Sequence, residues 1–234
     1  MRRALAAVLA VWAGSAPAQD CRLALVLALD VSSSVDARED ALQRGGLAAA
    51  LVAPEVQRAF FAEPAPVALA VFEWSGRYNQ HLVADWRLVD SPTVLMSTAA
   101  TIAGSARSET EFPTAMGHAL GYAAGLLARA PACTAQTVDV AGDGTNNDGF
   151  GPRLAYAEFA FGGVTVNGLV VDVGDDEGEI ALVEFFHAEV LRGPGAFVEV
   201  AQSFDQYEEA MRRKLEREVR PRMVGQLHMG PGPG

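Results

Sequence analysis

Apolar runs alternate with helix-period segments along most of this 234-residue chain. The run over 23–29 is almost wholly apolar, as a strand covered on both faces of a parallel sheet must be. Residues 36–52 then repeat with a helical period, placing Leu42, Leu47 and Leu51 toward a core, and Pro54 is expected to end that helix. Strands follow over 67–74 and 78–86, joined through Ser75-Gly76-Arg77 as a hairpin. The remaining pattern predicts helices over 92–103, 114–130, 153–161, 179–191 and 205–219, and strands over 137–142, 164–171 and 196–200. The last helix carries two start signals three residues apart, Ser203 with Gln206 and Asp205 with Glu208. Strands alternating with helices predict an α/β fold, a mostly parallel six-stranded sheet with one antiparallel edge strand and helices on both faces. Gly117, Gly121 and Gly125 form a small-residue ridge on one helix, read as a close-packing surface.

The two ends depart from this alternation. Arg2 and Arg3 precede an apolar stretch over 4–13 and the A-x-A triplet Ala16-Pro17-Ala18, so residues 1–18 read as a secretory signal peptide cleaved after Ala18. Cys21 follows Gln19-Asp20, which does not suit a lipid-attachment signal. Residues 223–234 read as a disordered Gly/Pro tail, leaving 19–222 as one domain. No other apolar run approaches membrane length, so the expected location is periplasmic or secreted.

Charge then removes one function class. Eighteen basic side chains against 29 acidic ones give a formal charge of −11, the wrong sign for a nucleic-acid binder. Half of the residues are apolar, enough for one compact core.

Chemistry in an open parallel sheet gathers at the carboxyl ends of its strands. The first strand ends in Asp30-Val31-Ser32-Ser33-Ser34, which sets a carboxylate and two hydroxyls on one turn. The fourth ends in Asp143-Gly144, and Thr114 stands at the start of a helix. Oxygen donors of this kind suit a hard divalent cation, although a Ser/Asp cluster before a helix also serves as an N-cap. No G-x-S-x-G elbow, H-E-x-x-H helix or P-loop occurs, and the Asp143 to Gly149 segment does not have calcium-loop spacing. His118, one turn beyond Thr114, is a helix histidine read as structural. Asp139 lies inside a strand with no partner legible from sequence. Trp74 and Tyr78 are either core or an aromatic contact surface. Glu109, Glu111, Asp148 and Asp175-Asp176-Glu177 read as a solvated acidic rim.

Together, the Asp30 to Ser34 segment, Thr114 in Thr114-Ala115-Met116-Gly117 and Asp143-Gly144 resemble the metal-ion-dependent adhesion site of von Willebrand factor A domains. Glu73-Trp74-Ser75-Gly76, Gly142-Asp143-Gly144-Thr145-Asn146-Asn147, Asn167-Gly168-Leu169 and Gly193-Pro194-Gly195-Ala196-Phe197 are similar to signatures of an uncharacterised bacterial family of secreted proteins of that type. The resemblance implies a Rossmann-like von Willebrand factor A fold. It also implies hydroxyl ligands at Ser32, Ser34 and Thr114, with Asp30 and Asp143 bound mainly through water or alternately with Thr114, and one position left for a partner's acidic group. One departure is Phe112-Pro113 where the family commonly has Gly-Gly, which stiffens the loop.

Two carboxylates and three hydroxyls leave a cation electron-poor, and Mg²⁺ suits such a site best, followed by Mn²⁺ and Ca²⁺. The expected function is a secreted metal-dependent binding module that recognises a protein or other ligand through a carboxylate. It is not expected to be an enzyme. The alternatives are a metal-dependent periplasmic hydrolase acting on a phosphoester or carbonyl substrate, and a domain that keeps the motif without using metal. If Asp30 and Asp143 lie level on adjacent parallel strands because they share an ion, Cys21 and Cys133 both fall at the opposite edge, so a disulfide is expected, with two separate thiols as the alternative.

Overall fold

A computed structural model describes residues 21–171 and 176–221, and for 176–179 the backbone alone. The expected leader over 1–18 and the tail over 223–234 lie outside the described residues. β1 (Cys21–Asp30), β2 (Val67–Trp74), β3 (Gln80–Val89), β4 (Cys133–Gly142), β5 (Val164–Val171) and β6 (Val198–Ala201) form one sheet in the order β3-β2-β1-β4-β5-β6. Only β3 runs antiparallel. The expected layer architecture is therefore present, with the strand order reversing between β1 and β4.

Period-two alternation divides the core between the two faces. Leu23, Leu25, Leu27 and Leu29 of β1 pack with α1 (Ala37–Val52), α2 (Pro54–Phe60), α3 (Pro92–Ala103) and α7 (Tyr207–Val219). The smaller Ala24, Val26 and Ala28 point the other way, toward α4 (Met116–Ala128), α5 (Pro152–Glu158) and α6 (Asp176–Phe185), which runs into a π-helical turn over Phe186–Val190. Small side chains on that face let α4 sit close to the sheet. α4 in turn approaches the α5 entry closely at Gly117, where a β-carbon would stand 2.0 Å from the Phe150 carbonyl oxygen. The glycine ridge is thus used at Gly117 and at Gly121, which faces the Phe159 ring, whereas Gly125 has open space.

Several element boundaries move for physical reasons. Pro54 does end α1, but it also opens α2, because proline at the first helical position has its φ already set and no N–H to satisfy. β4 begins at Cys133, earlier than the apolar run at 137, because its first residues are only partly covered. The capping boxes expected at the last helix do not form: Phe204–Gln206 makes a 3₁₀ turn with no side-chain cap, and Asp205 pairs with Arg38 at 2.7 Å. A capping box forms instead at α1, between Asp36 and Glu39.

Cys21 and Cys133 are directly opposed on β1 and β4 and form a disulfide, with Cα atoms 4.5 Å apart. The same register carries Ala28 to Val140 and so sets Asp30 level with Gly142. Asp143 therefore lies one residue beyond the level that sequence reasoning assigned to it, just past the strand.

Candidate metal site

β1 delivers Asp30 to the head of the sheet with only 1 % exposure. Its Oδ1 accepts from the Ser32 N–H at 2.7 Å, which folds the chain back at the strand end. Its Oδ2 lies against Gly142, where a β-carbon would stand 3.2 Å away, so glycine leaves room for the carboxylate. Ser32 Oγ and Ser34 Oγ are 3.1 Å apart, and Ser34 Oγ donates to Asp143 Oδ1 at 2.7 Å. Thr114 is buried, and its Oγ1 faces Gly144 beside Asp143. Four of the five residues singled out from sequence thus form one hydrogen-bonded series, and Thr114 borders it.

Two oxygens of this cluster, Asp30 Oδ2 and Asp143 Oδ2, are buried without a hydrogen-bond partner. Burial first, and then the charge of Asp143, pushes the Asp30 carboxyl up to about 7. Burial raises Asp143 as well, against the bond from Ser34. No cluster of three or more His, Cys, Asp or Glu suited to a metal occurs among the described residues. Any cation held here would depend on hydroxyls and water for much of its shell.

The loops are held by residues outside the five candidate ligands. Arg107 donates to three carbonyls of the β1–α1 loop: Nη1 to Val35 at 2.6 Å, and Nη2 to Val31 and Ser32 at 2.8 Å each. Gln43 of α1 reaches the Asp30 carbonyl at 2.8 Å. Buried Arg44 pairs with Asp40 and Glu73 and donates to Ser105, while Glu73 accepts from the Ser108 N–H. Asn147 both accepts from the Thr114 N–H, at 2.9 Å, and donates its own N–H to the Thr114 carbonyl. This exchange keeps Thr114 and Ala115 outside α4, which starts at Met116. Phe112-Pro113 is pinned through the Phe112 carbonyl, which accepts from the Ser33 N–H at 2.8 Å. Glu73, inside an otherwise apolar strand, was the available sequence signal for a buried cation partner.

Other expected features separate. Trp74 is fully buried and Tyr78 is exposed, so the two do not share a contact surface. His118 stacks on Phe150 with ring centroids 4.0 Å apart, and burial lowers its pKa. Asp148 is not a free rim carboxylate, because it pairs with Arg77 at 2.7 Å. Asp175 and the side chains of Asp176 and Glu177 lie outside the described residues.

Residues 20–223 match the model of the family described as "Protein of unknown function (DUF1194)". The chain belongs to that family. No curated protein matches the sequence. Among solved structures, proximal thread matrix protein 1 from the mussel byssus, with a zinc-occupied MIDAS motif, is 15 % identical with a TM-score of 0.57, over 86 % of this chain and 48 % of that one. The von Willebrand factor type A structure from Catenulispora acidiphila is 17 % identical with a TM-score of 0.55, over 85 % and 43 %. An aerotolerance-related membrane protein from Bacteroides fragilis is 17 % identical with a TM-score of 0.54, over 83 % and 99 %. The chain spans less than half the length of the first two. These likenesses establish that this DUF1194 member has the Rossmann-like von Willebrand factor A fold.

Proposed function

We propose that this DUF1194 protein is an exported binding module that holds an acidic group of a protein or other ligand on a divalent cation at the head of β1 and β4. The observation that carries the reading is the pair of buried, unpartnered carboxylate oxygens, Asp30 Oδ2 and Asp143 Oδ2, within a cluster lined by hydroxyls. Buried polar atoms are nearly always satisfied, and a cation satisfies both at once. Ser32, Ser34 and Thr114 supply the neutral oxygens, and Asp30 and Asp143 the charge.

This donor set fits Mg²⁺ first, then Mn²⁺ and Ca²⁺, since Mg²⁺ retains waters and accepts few carboxylates. With only two anionic groups from the chain, the ion remains attractive to an outside carboxylate. A binding role is favoured over catalysis because the ring of His118, the nearest histidine in sequence to Thr114, is taken up by stacking on Phe150. Export is supported by the leader-like residues 1–18 and by the disulfide, which persists in an oxidising compartment.

The test is capture of a partner from the native envelope by the full chain. Binding in Mg²⁺ should be lost in chelator and in Thr114→Ala while circular dichroism is unchanged. A partner kept in chelator would place recognition elsewhere on the molecule.

A further inference from the structure

Four polar residues that the metal site does not use meet between the sheet and α7. Asp139 on β4 and Asn167 on β5 are cross-strand neighbours, and both face the helix that carries Lys214 and Glu218. The group is dry: Lys214 is 0 %, Asp139 1 % and Asn167 3 % exposed, and the Glu218 side chain is 0 % exposed. Lys214 Nζ stands 2.7 Å from Asp139 Oδ1 and 2.6 Å from Glu218 Oε1. Asn167 Nδ2 donates to that same Glu218 oxygen at 2.7 Å, so amine and carboxamide share one carboxylate atom.

The carboxamide is also oriented. Its Oδ1 accepts from the Phe197 N–H at 3.1 Å, and because an N–H only donates and a carboxylate only accepts, the two ends of Asn167 are fixed. The Phe197 ring lies 5.1 Å from Nζ and helps to exclude water. A salt bridge alone requires neither Asn167 nor a donor aimed at its carbonyl. An ammonium beside two carboxylates is also an expensive group to bury.

We propose that Lys214 and Asn167 are joined by an intramolecular isopeptide bond, formed with release of ammonia. Asp139 takes one proton from the Nζ ammonium, and the freed lone pair attacks Asn167 Cγ. The carbonyl π pair moves onto Oδ1, where the Phe197 N–H stabilises it. A second Nζ proton passes through Glu218 Oε1 to Nδ2, the Cγ–Nδ2 bond breaks and ammonia leaves. One proton remains on Asp139, so the summed charge of the cluster is unchanged. Burial and the charge of Glu218, opposed by Lys214, push the Asp139 carboxyl up to about 7, which suits it to keep that proton. The bond fastens the last helix to β5. Unlike the Cys21–Cys133 disulfide between β1 and β4, it does not yield to reductant.

Peptide mapping of the full chain, exported, purified, then reduced, denatured and digested with trypsin, tests the proposal. The expected product is a branched peptide linking the β5 and α7 segments, lighter by one ammonia and uncleaved after Lys214. It should be absent from Lys214→Arg and Asn167→Ala. Intact mass alone does not decide, because an N-terminal Gln19 left by cleavage after Ala18 loses the same ammonia when it cyclises. Separate peptides from the folded wild type, with Lys214 and Asn167 unmodified, would overturn the bond. So would a crosslink from Lys214 to Asp139 or Glu218 with loss of water. The wild-type map is decisive whether or not the variants fold.

Discussion

Asp139 lies within β4 and Asp143 one residue past its end, yet their surroundings are opposite. Asp139 faces α7 and meets a partner supplied by the chain itself, Lys214. Asp143 stands at the head of the sheet with Asp30, Ser32 and Ser34, and among the described residues no Lys or Arg bonds to either carboxylate. The nearby Arg107 guanidinium is turned to the Val31, Ser32 and Val35 carbonyls instead. Burial raises both Asp139 and Asp30 to about 7. One acidic cluster is therefore closed on a lysine of the chain itself, and the other, the proposed metal site, meets no Lys or Arg among the described residues. A buried carboxylate is a ligand site only where the fold withholds its own counter-charge.

The largest expected effect comes from breaking the closed cluster. Lys214→Met leaves Asp139 and Glu218 buried without their lysine partner, removes the proposed link to Asn167, and should lower the unfolding free energy by about 3–5 kcal/mol, read by urea denaturation. A loss under 1 kcal/mol, roughly the size of an ordinary surface change, would mean that the cluster is not coupled to folding.

The same experiment at the open site should give the opposite sign. Folded Asp30 holds a proton more tightly than unfolded Asp30, so the metal-free fold loses stability as pH rises from about 4 to about 7. Asp30→Asn removes that loss. Without metal, its advantage over wild type should grow across this window at up to about 1.4 kcal/mol per pH unit. Saturating Mg²⁺ should then narrow the gap, stabilising wild type by about 2.7 kcal/mol at a hundredfold excess over Kd and leaving Asp30→Asn unmoved. Thermal melts at several pH values with and without Mg²⁺ check both statements, and equal responses of the two proteins would remove Asp30 from the site.

How much of this contrast was legible follows the reach of each interaction along the chain. Asp30, Ser32 and Ser34 are sequence neighbours, and the strand-to-helix switch places them at the sheet's head without further knowledge. Their link to Asp143 required only the strand order. Asp139 was visible as an oddity, but its partner comes from the last helix, where Lys214 reads as one more surface cation in a charged segment. Arg107 left no trace because it acts through backbone carbonyls, which carry no sequence signature. Pro54 misled because the residue that forbids a helix interior also favours a helix start, and Asp205 because Arg38, far away in sequence, competes for its carboxylate.

A smaller effect should separate the clamp from the ligands. Arg107→Ala releases three loop carbonyls without touching a proposed metal donor, and should weaken Mn²⁺ affinity by about 10–100-fold while stoichiometry holds. Unchanged affinity would show that Gln43 and the Phe112 carbonyl hold the loop unaided.

Calorimetric titration of Mn²⁺ into the metal-free full chain, beside Asp30→Ala and Asp143→Ala, tests the central claim most directly. The open cluster predicts one ion bound per wild-type chain and no comparable binding in either variant, with circular dichroism unchanged. Binding of equal affinity and stoichiometry in all three proteins would contradict it, and would assign the two unpartnered oxygens to something other than a metal.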